Sequence, residues 1–408
     1  MRTFLNETLE SLLQDHQDLS TLTLILPSKR AGGFLKNEIR QRAGKTQFAP
    51  RVISIEEYIE ELSGLQIIEP IELLFRSFEA YQKTEGISEK EDFDTYASWG
   101  QTLLNDFNEI DRYLVDTQAF FTYLSSIKTL ERWNLTGETT SMVQNFLSFW
   151  SHLPALYANL QSLLREHSLG YQGMVYREAA NKVNDYANQN FDETFIFIGF
   201  NALNHAEQAI ITTLLEAGRA EIYWDIDTHF LNDTQHGASL FLRQYLKGWK
   251  YYEKNSPKGI GSYYQDQKQL QIVAAQKNVA QAKYVGDILN GYSEEKLTKT
   301  AIVLADEHLL MPVLQSLPPN VKSVNVTMGA VLKQYPASVF FELLFNLHLQ
   351  GGTSYYFKDV LALLNHNFGR SLLSNSGKMA ATIQSQNKSH LSWEEIKALA
   401  DLAMIALL

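Results

Sequence analysis

"TLTLILPSKRAGGFLKNEIRQRAGKTQ" (Thr21–Gln47) decides how the fold begins. "TLTLIL" is a short apolar, β-branched run, the pattern of a buried strand, and Pro27 stops it. Ser28 is placed to cap a helix that the apolar spacing predicts from Ala31 to about Arg42. Strand, tight polar turn and helix together open an α/β architecture. Lys29 and Arg30 fall at the positive end of the helix, where cations are locally unfavourable. Two readings stand there: an anion held beside the turn, or a solvated turn with two exposed bases.

"AGKT" (Ala43–Thr46) mimics the tail of a nucleotide-binding loop. That loop requires G-x-x-x-x-G-K-[ST] after a strand, so that backbone amides cradle the phosphates. Counting back from Gly44, Ile39 stands where the first glycine belongs, and the preceding segment is helical. Gly44 reads instead as a helix C-cap, with Lys45 near the negative end of the dipole.

At 408 residues, two or three domains are expected. Hydrophobic residues make up 45% and charged residues 20%, so most of the chain should fold. The absence of cysteine excludes disulfides, thiolate metal sites and cysteine nucleophiles. No apolar run approaches the ~18 residues of a membrane span, and the acidic, amphipathic start is not a signal peptide. No membrane contact and a cytoplasmic location are expected. The net charge of −11 argues against a surface that binds nucleic acid everywhere, while leaving room for a local basic groove.

Further along, "PRVISIEEYIEEL" predicts a short strand and helix, and 69–190 reads as long helices carrying packing aromatics. Strands return at "TFIFIGF" (Thr194–Phe200) and "AEIYWDID" (Ala220–Asp227), with Asn204 and Glu207 as a capping pair between them. A polar stretch at 247–269 reads as a linker. "LQIVAA", "TAIVL" and "SVNVT" then predict a second sheet, alternating with helices over Val279–Leu289 and near His308–Leu317. The expected division is a first α/β lobe from 1–68 and 191–246, a helical insertion at 69–190, and a second α/β lobe at 270–408 that starts a further helical segment.

"LPSKRAGGFLKNEI" resembles motif Ia of the UvrD-like superfamily 1 helicases, in which a strand, a polar turn with a base and a helix touch single-stranded DNA. "FIFIGFNALNHAEQAIITTLLEAGRAEIYWDID" resembles that family's stretch from Walker B through motif III. "LQIVAAQKNVAQAKYVGDILN", "TAIVLADEHLLMPVLQSLP" and "VNVTMGAVL" resemble the start of its second motor domain. "LLNDFNEIDRYL" suits the AddB-like helicase–nuclease branch, which joins a degenerate motor to a PD-(D/E)XK nuclease. The resemblance implies two RecA-like lobes, with Ser28, Lys29 and Arg30 on a DNA backbone. It also implies single-stranded or end-containing DNA, and a partner helicase–nuclease subunit, as binding partners.

Three departures from an active motor shape the functional expectation. The chain starts inside the helix that would follow the phosphate loop. The Walker B acids align with Ile198 and Gly199. The glycine of the motif III Gly-Asp aligns with Trp224, although Asp225 is kept. Losing loop and carboxylates removes the groups that position magnesium and the γ-phosphate, so no catalytic residue, metal or cofactor is expected in this chain. Magnesium would belong to a nuclease domain beyond Leu408, where the full-length protein would be an exonuclease. The expected function is a non-hydrolysing, DNA-binding scaffold of a double-strand-break repair helicase–nuclease, with cleft aromatics as candidates for base stacking. The alternatives are a protein-interaction module without DNA binding, and an active ATP-dependent helicase. Asp225, Asp227 and His229 alternate at a strand end, and "DIDT" mimics a phosphatase motif; solvated acids are the simpler reading. Tyr176 and Arg177, at a predicted helix start, are read as fold support.

Overall fold

In the computed structural model, the strand read from Thr21 is β1 (Leu22–Leu26), with all five side chains buried. The structure describes residues 3–16, 18–42, 48–87, 90–133, 141–189, 193–329, 332–349, 354–373 and 375–399. Ala43–Thr46, with the expected cap at Gly44 and Lys45, lies outside them. A strand buried on both faces needs a covering layer on each. Leu22, Leu24 and Leu26 share one apolar cluster with Leu9 and Leu12 of α1 (Phe4–Asp15) and with Leu35 and Ile39 of α2 (Lys29–Arg42). Ile25 belongs to the opposite layer, where β2 (Arg51–Ser54) leads into α3 (Ile55–Ser63) and its Ile55, Tyr58 and Ile59.

The chain then leaves the sheet. A two-residue parallel pairing of β3 (Gln66–Ile67) with β4 (Leu169–Gly170) closes the base of the excursion. Between them run α4 (Pro70–Lys83), α5 (Phe93–Arg112), α6 (Thr117–Trp133) and α7 (Ser141–Glu166), the last continuing through Pro154. The chain returns through α8 (Gln172–Ala187), β5 (Thr194–Phe200), α9 (His205–Glu216) and β6 (Ala220–Asp227). It goes on through α10 (Thr228–Asn232), α11 (Leu240–Gly248) and β7 (Lys258–Gly261). The sheet runs β2-β1-β5-β6-β7 with every neighbouring pair parallel, so the chain is α/β. Period-two alternation sets the layers: Ile196, Ile198 and Tyr223 face α1 and α2, while Phe195, Phe197 and Trp224 face the other side.

The expected helical insertion is present, but it is not a separate globule. Tyr96, Phe107, Leu160 and Val175 belong to the same buried cluster as Phe195, Phe197 and Trp224. Its centre is ionic. Asp111, fully buried, accepts from the Arg177 Nε at 2.5 Å, from the Gln161 amide at 3.2 Å, and from the hydroxyls of Tyr157 and Tyr171. Burial, reinforced by the Asp111 charge, holds both phenols protonated, so each stays a donor. Arg177 also donates to the carbonyls of Ile110 and Val115 at 2.9 and 2.8 Å, tying α8 to the end of α5. The guanidinium is therefore part of the fold, as read from the sequence.

Residues 247–269 are not only a linker. They contribute β7, the edge strand of the sheet. Gly259 makes this possible: its φ is +77°, and an added Cβ would sit 2.5 Å from the Trp224 carbonyl oxygen. A compact unit ends at Lys268, close to the boundary expected from sequence, and a second begins at Gln269.

The second unit departs from expectation. Helices α12 (Lys277–Asn290), α13 (Glu294–Thr298) and α14 (Leu310–Gln315) form, but "LQIVAA", "TAIVL" and "SVNVT" enter no strand. Leu270, Ile272 and Val303 are 83%, 86% and 89% exposed, where a second parallel sheet would bury them. The second RecA-like lobe is corrected on this point: apolar runs at strand length need a ladder partner, and these have none among the described residues. Its later part contains α15 (Pro336–Leu349), β8 (Ser354–Tyr356), α16 (Phe357–Asn365), α17 (Asn367–Leu372) and α18 (Ser376–Gln386). It ends with β9 (His390–Ser392), antiparallel to β8, and α19 (Trp393–Leu399). This part has its own core of Leu347, Val360, Leu363, Ile383 and Ile396.

Removing one member of the buried pair leaves an uncompensated charge or an unpaired acceptor set. Asp111→Ala and Arg177→Ala should each cost about 3–5 kcal/mol in urea denaturation. A loss below about 1 kcal/mol for both would show that the network does not hold the insertion.

Candidate nucleic-acid interface

Because all five strands are parallel, their carboxyl ends lie along one edge, and so do the turns that follow them. The chain passes from β1 to β2 on one side and later returns to β5 on the other. The gap between β1 and β5 is therefore a topological switch point, the usual location of ligands in open α/β sheets. Ser28–Arg30 follow β1 there, and Asn201–Asn204 follow β5.

Ser28 caps α2 as expected: its Oγ accepts from the Ala31 amide at 3.2 Å, and its carbonyl from the Gly32 amide at 3.2 Å. Lys29 is brought beside Glu57, Nζ to Oε1 3.4 Å, with 71% and 37% of the two side chains exposed. Glu57 is itself the capping-box residue of α3. It accepts from the Ser54 amide at 2.8 Å and the Ser54 hydroxyl at 2.9 Å. The Ser54 amide, more than Lys29, holds the Glu57 carboxyl below its ordinary range. An exposed pair of this kind is worth about 0–1 kcal/mol, too little to keep Lys29 from a phosphate.

The basic pattern continues along the helix beyond Arg30. The 14 residues of α2 hold five cations (Lys29, Arg30, Lys36, Arg40, Arg42) and one anion (Glu38), a balance of +4 in a chain of −11. Gly32, Leu35 and Ile39 are buried against the sheet, and Lys29, Arg30, Lys36 and Arg40 are exposed. The signal was available in the sequence as i, i+7, i+11 spacing from Lys29.

The positions aligned with the Walker B acids are filled by the fold. Ile198 is 0% exposed in the layer beneath α1 and α2. Gly199 forms a β-bulge, where the pairing with β6 shifts register at a φ of +76°. Neither position brings a carboxylate to the edge. Trp224, 1% exposed, donates its indole N–H to the Tyr252 hydroxyl at 2.6 Å and stacks on Tyr245, centroids 5.6 Å apart.

Asp225 lies exposed on β6. Asp227 is a cap and a loop tie: its carboxylate accepts from the amides of His229 at 2.8 Å and Tyr264 at 2.9 Å. Although partial burial opposes the shift, these amides hold its carboxyl below the ordinary range. The ring of His229 stacks on Tyr264 at 4.8 Å. Among the described residues, no three of His, Asp and Glu converge as metal ligands would. The alternation of Asp225, Asp227 and His229 has a structural use at its last two members.

A cleft of about 710 Å³ opens after β5, lined by Arg112, Asn204, His205, Gln208, Gln244 and Trp249 among others. The expected capping pair frames it. Asn204 Oδ1 accepts from the Glu207 amide at 2.9 Å, and Glu207 accepts from the Asn204 amide at 3.0 Å. Burial raises the Glu207 carboxyl above its usual value, against the opposing pull of the Asn204 amide and Arg112.

A comparison with protein-family models matches none of them, and a comparison with characterised proteins finds no match. The reading of the site therefore stands on its residues. Among the described residues, no helix is long and apolar enough to cross a membrane.

Glu207 gives a pH signature. Its folded-state proton is held above the unfolded value of 4.5, so the folded state binds more protons there and stability falls as pH rises through that window. Glu207→Gln keeps the cap and removes the titration. Urea midpoints for wild type and variant should therefore diverge above pH 4.5, the wild type losing ground; parallel curves would contradict the assignment.

Proposed function

We propose that the chain is a non-hydrolysing, helicase-like DNA-binding scaffold of a double-strand-break repair helicase–nuclease. One observation carries the reading: the positive charge gathered on α2 at the switch point of the sheet, in an otherwise acidic protein. Lys29 and Arg30 contact backbone phosphates at the amino end of α2, and the helix dipole adds to their attraction for an anion. Binding of this kind is independent of sequence and weakens steeply with salt. The substrate is single-stranded or end-containing DNA, and a partner helicase–nuclease subunit supplies the motor activity.

The absence of hydrolysis in this reading is supported by what occupies the edge. In-line attack on a γ-phosphate needs a metal and an oriented water. Ile198 is a buried aliphatic and Gly199 a bulge, so the two positions serve packing and strand geometry. Trp224 belongs to an aromatic cluster with Tyr245, Trp249 and Tyr252. A cytoplasmic location goes with this function.

The test is fluorescence anisotropy with a labelled single-stranded oligonucleotide at several salt concentrations. Lys29→Ala/Arg30→Ala should weaken binding and reduce the slope of log K against log salt by about 1.4, at about 0.7 for each phosphate left without its cation. No binding by the wild-type protein, or an unchanged slope, would refute the reading and favour a protein-interaction module. Mg-ATP turnover by the purified chain would refute the non-hydrolysing part separately.

A further inference from the structure

We infer that the outer face of α2 is a stacking platform for single-stranded DNA, with Phe34 holding a base. The inference rests on the DNA-binding reading above and adds to it the strand type and the residues along which the strand runs.

Gly32, Leu35 and Ile39 fix which side of α2 faces the core. At 100° per residue, Arg30, Phe34, Asn37 and Gln41 form the row opposite them, and Lys29, Gly33, Lys36 and Arg40 form the adjacent row. Every one of these eight residues is exposed. The second row is three cations interrupted by a glycine. A Cβ added at Gly33 would find nothing within 4 Å, so the space above the backbone there is open. The two rows thus make a cationic strip with a notch, spanning about 18 Å along the helix at 1.5 Å per residue.

Phe34, in the row beside the notch and flanked by Arg30 and Asn37, is 56% exposed. The buried cluster under α2 takes Leu35 and Ile39 from this helix, and Phe34 is not among its residues. Beside cations it suits a ligand that presents anionic groups and flat apolar faces in alternation. A single strand does so; a duplex keeps its bases stacked inside and offers phosphates alone. An acidic protein segment would match the cations but has no regular planar group for Phe34. The side-chain carbonyl of Asn37, one turn along, accepts from the Arg40 guanidinium at 3.0 Å and so steadies that cation in the strip.

The strand is placed with phosphates on Lys29, Lys36 and Arg40 along one row and on Arg30 along the other, its backbone crossing over Gly33 so that one base turns onto Phe34 beside Arg30. Aromatic stacking of this type tolerates any base, which agrees with sequence-independent binding.

The experiment uses the full chain and labelled oligo-dT, alone and as a duplex with oligo-dA, with poly-glutamate as an acidic competitor. Phe34→Ala should weaken single-strand binding about tenfold, leave the salt slope unchanged, and leave duplex binding unchanged. Phe34→Trp should retain wild-type affinity. Lys36→Ala/Arg40→Ala should lower the salt slope instead, by about 1.4. Single-strand binding that survives Phe34→Ala but weakens in Lys29→Ala/Arg30→Ala would overturn the stacking platform and leave the scaffold reading in place. If the wild type binds no oligonucleotide, both fall. Tight displacement by poly-glutamate at low salt would overturn the preference for a nucleic acid on this face.

Discussion

Parallel pairing of β1 with both β2 and β5 is the constraint from which the rest of the first unit follows. It buries β1 on both faces, so two helical layers are required, and it sends every following turn to one edge. That edge receives Ser28–Arg30 after β1, Ser54 with the Glu57 cap after β2, and Asn204 with Glu207 after β5. The same pairing also decides what cannot sit there. Along β5 the alternation that turns Phe195 and Phe197 to one layer turns Ile196 and Ile198 to the other, so Ile198 points into packed hydrocarbon. An ionised carboxylate at that position would lose its hydration without a partner.

Charge placement separates the two faces of α2 in the same way. The inner face contributes apolar contacts to the sheet, while the outer face gathers cations in solvent. Lys29 touches Glu57 across an exposed gap, and at the far end of the helix Arg42 reaches Glu10 at 3.1 Å. By contrast Arg177, deeper in the molecule, is engaged by Asp111 and two carbonyls. Lys29 and Arg177 both lie near the start of a helix, yet burial separates them. A cation surrounded by acceptors holds structure, and one on a solvated strip can exchange a weak partner for a ligand.

Much of the first unit was legible because its determinants are local. A strand that Pro27 ends, the Ser28 cap, and the reciprocal Asn204–Glu207 pair need no more than a few neighbouring residues to specify them. β7 was not legible. "KGIG" has neither the length nor the apolarity of a strand, and only the positive φ of Gly259 against the Trp224 backbone lets it pair. The Asp111 network was hidden for a different reason: its partners lie 46 to 66 residues away, beyond any local pattern. In the second unit the error ran the other way. "LQIVAA" and "TAIVL" carry strand propensity, but propensity is a preference for a pleated, half-buried surface, and Leu270, Ile272 and Val303 meet none. In α2 the Ser28 cap is local and the i, i+7, i+11 spacing of Lys29, Lys36 and Arg40 is present in the sequence, while the row of Phe34 follows only once the buried face of the helix is fixed.

If the carboxyl edge beside β1, and α2 in particular, is where this protein meets DNA, bound DNA must shield that helix from solvent. Hydrogen–deuterium exchange of the full chain with and without a single-stranded oligonucleotide tests this most directly. Protection should concentrate in 28–42, with β5 and β6 unchanged because their amides are already held in the sheet. Protection confined to other surfaces, with 28–42 exchanging as in the free protein, would contradict it.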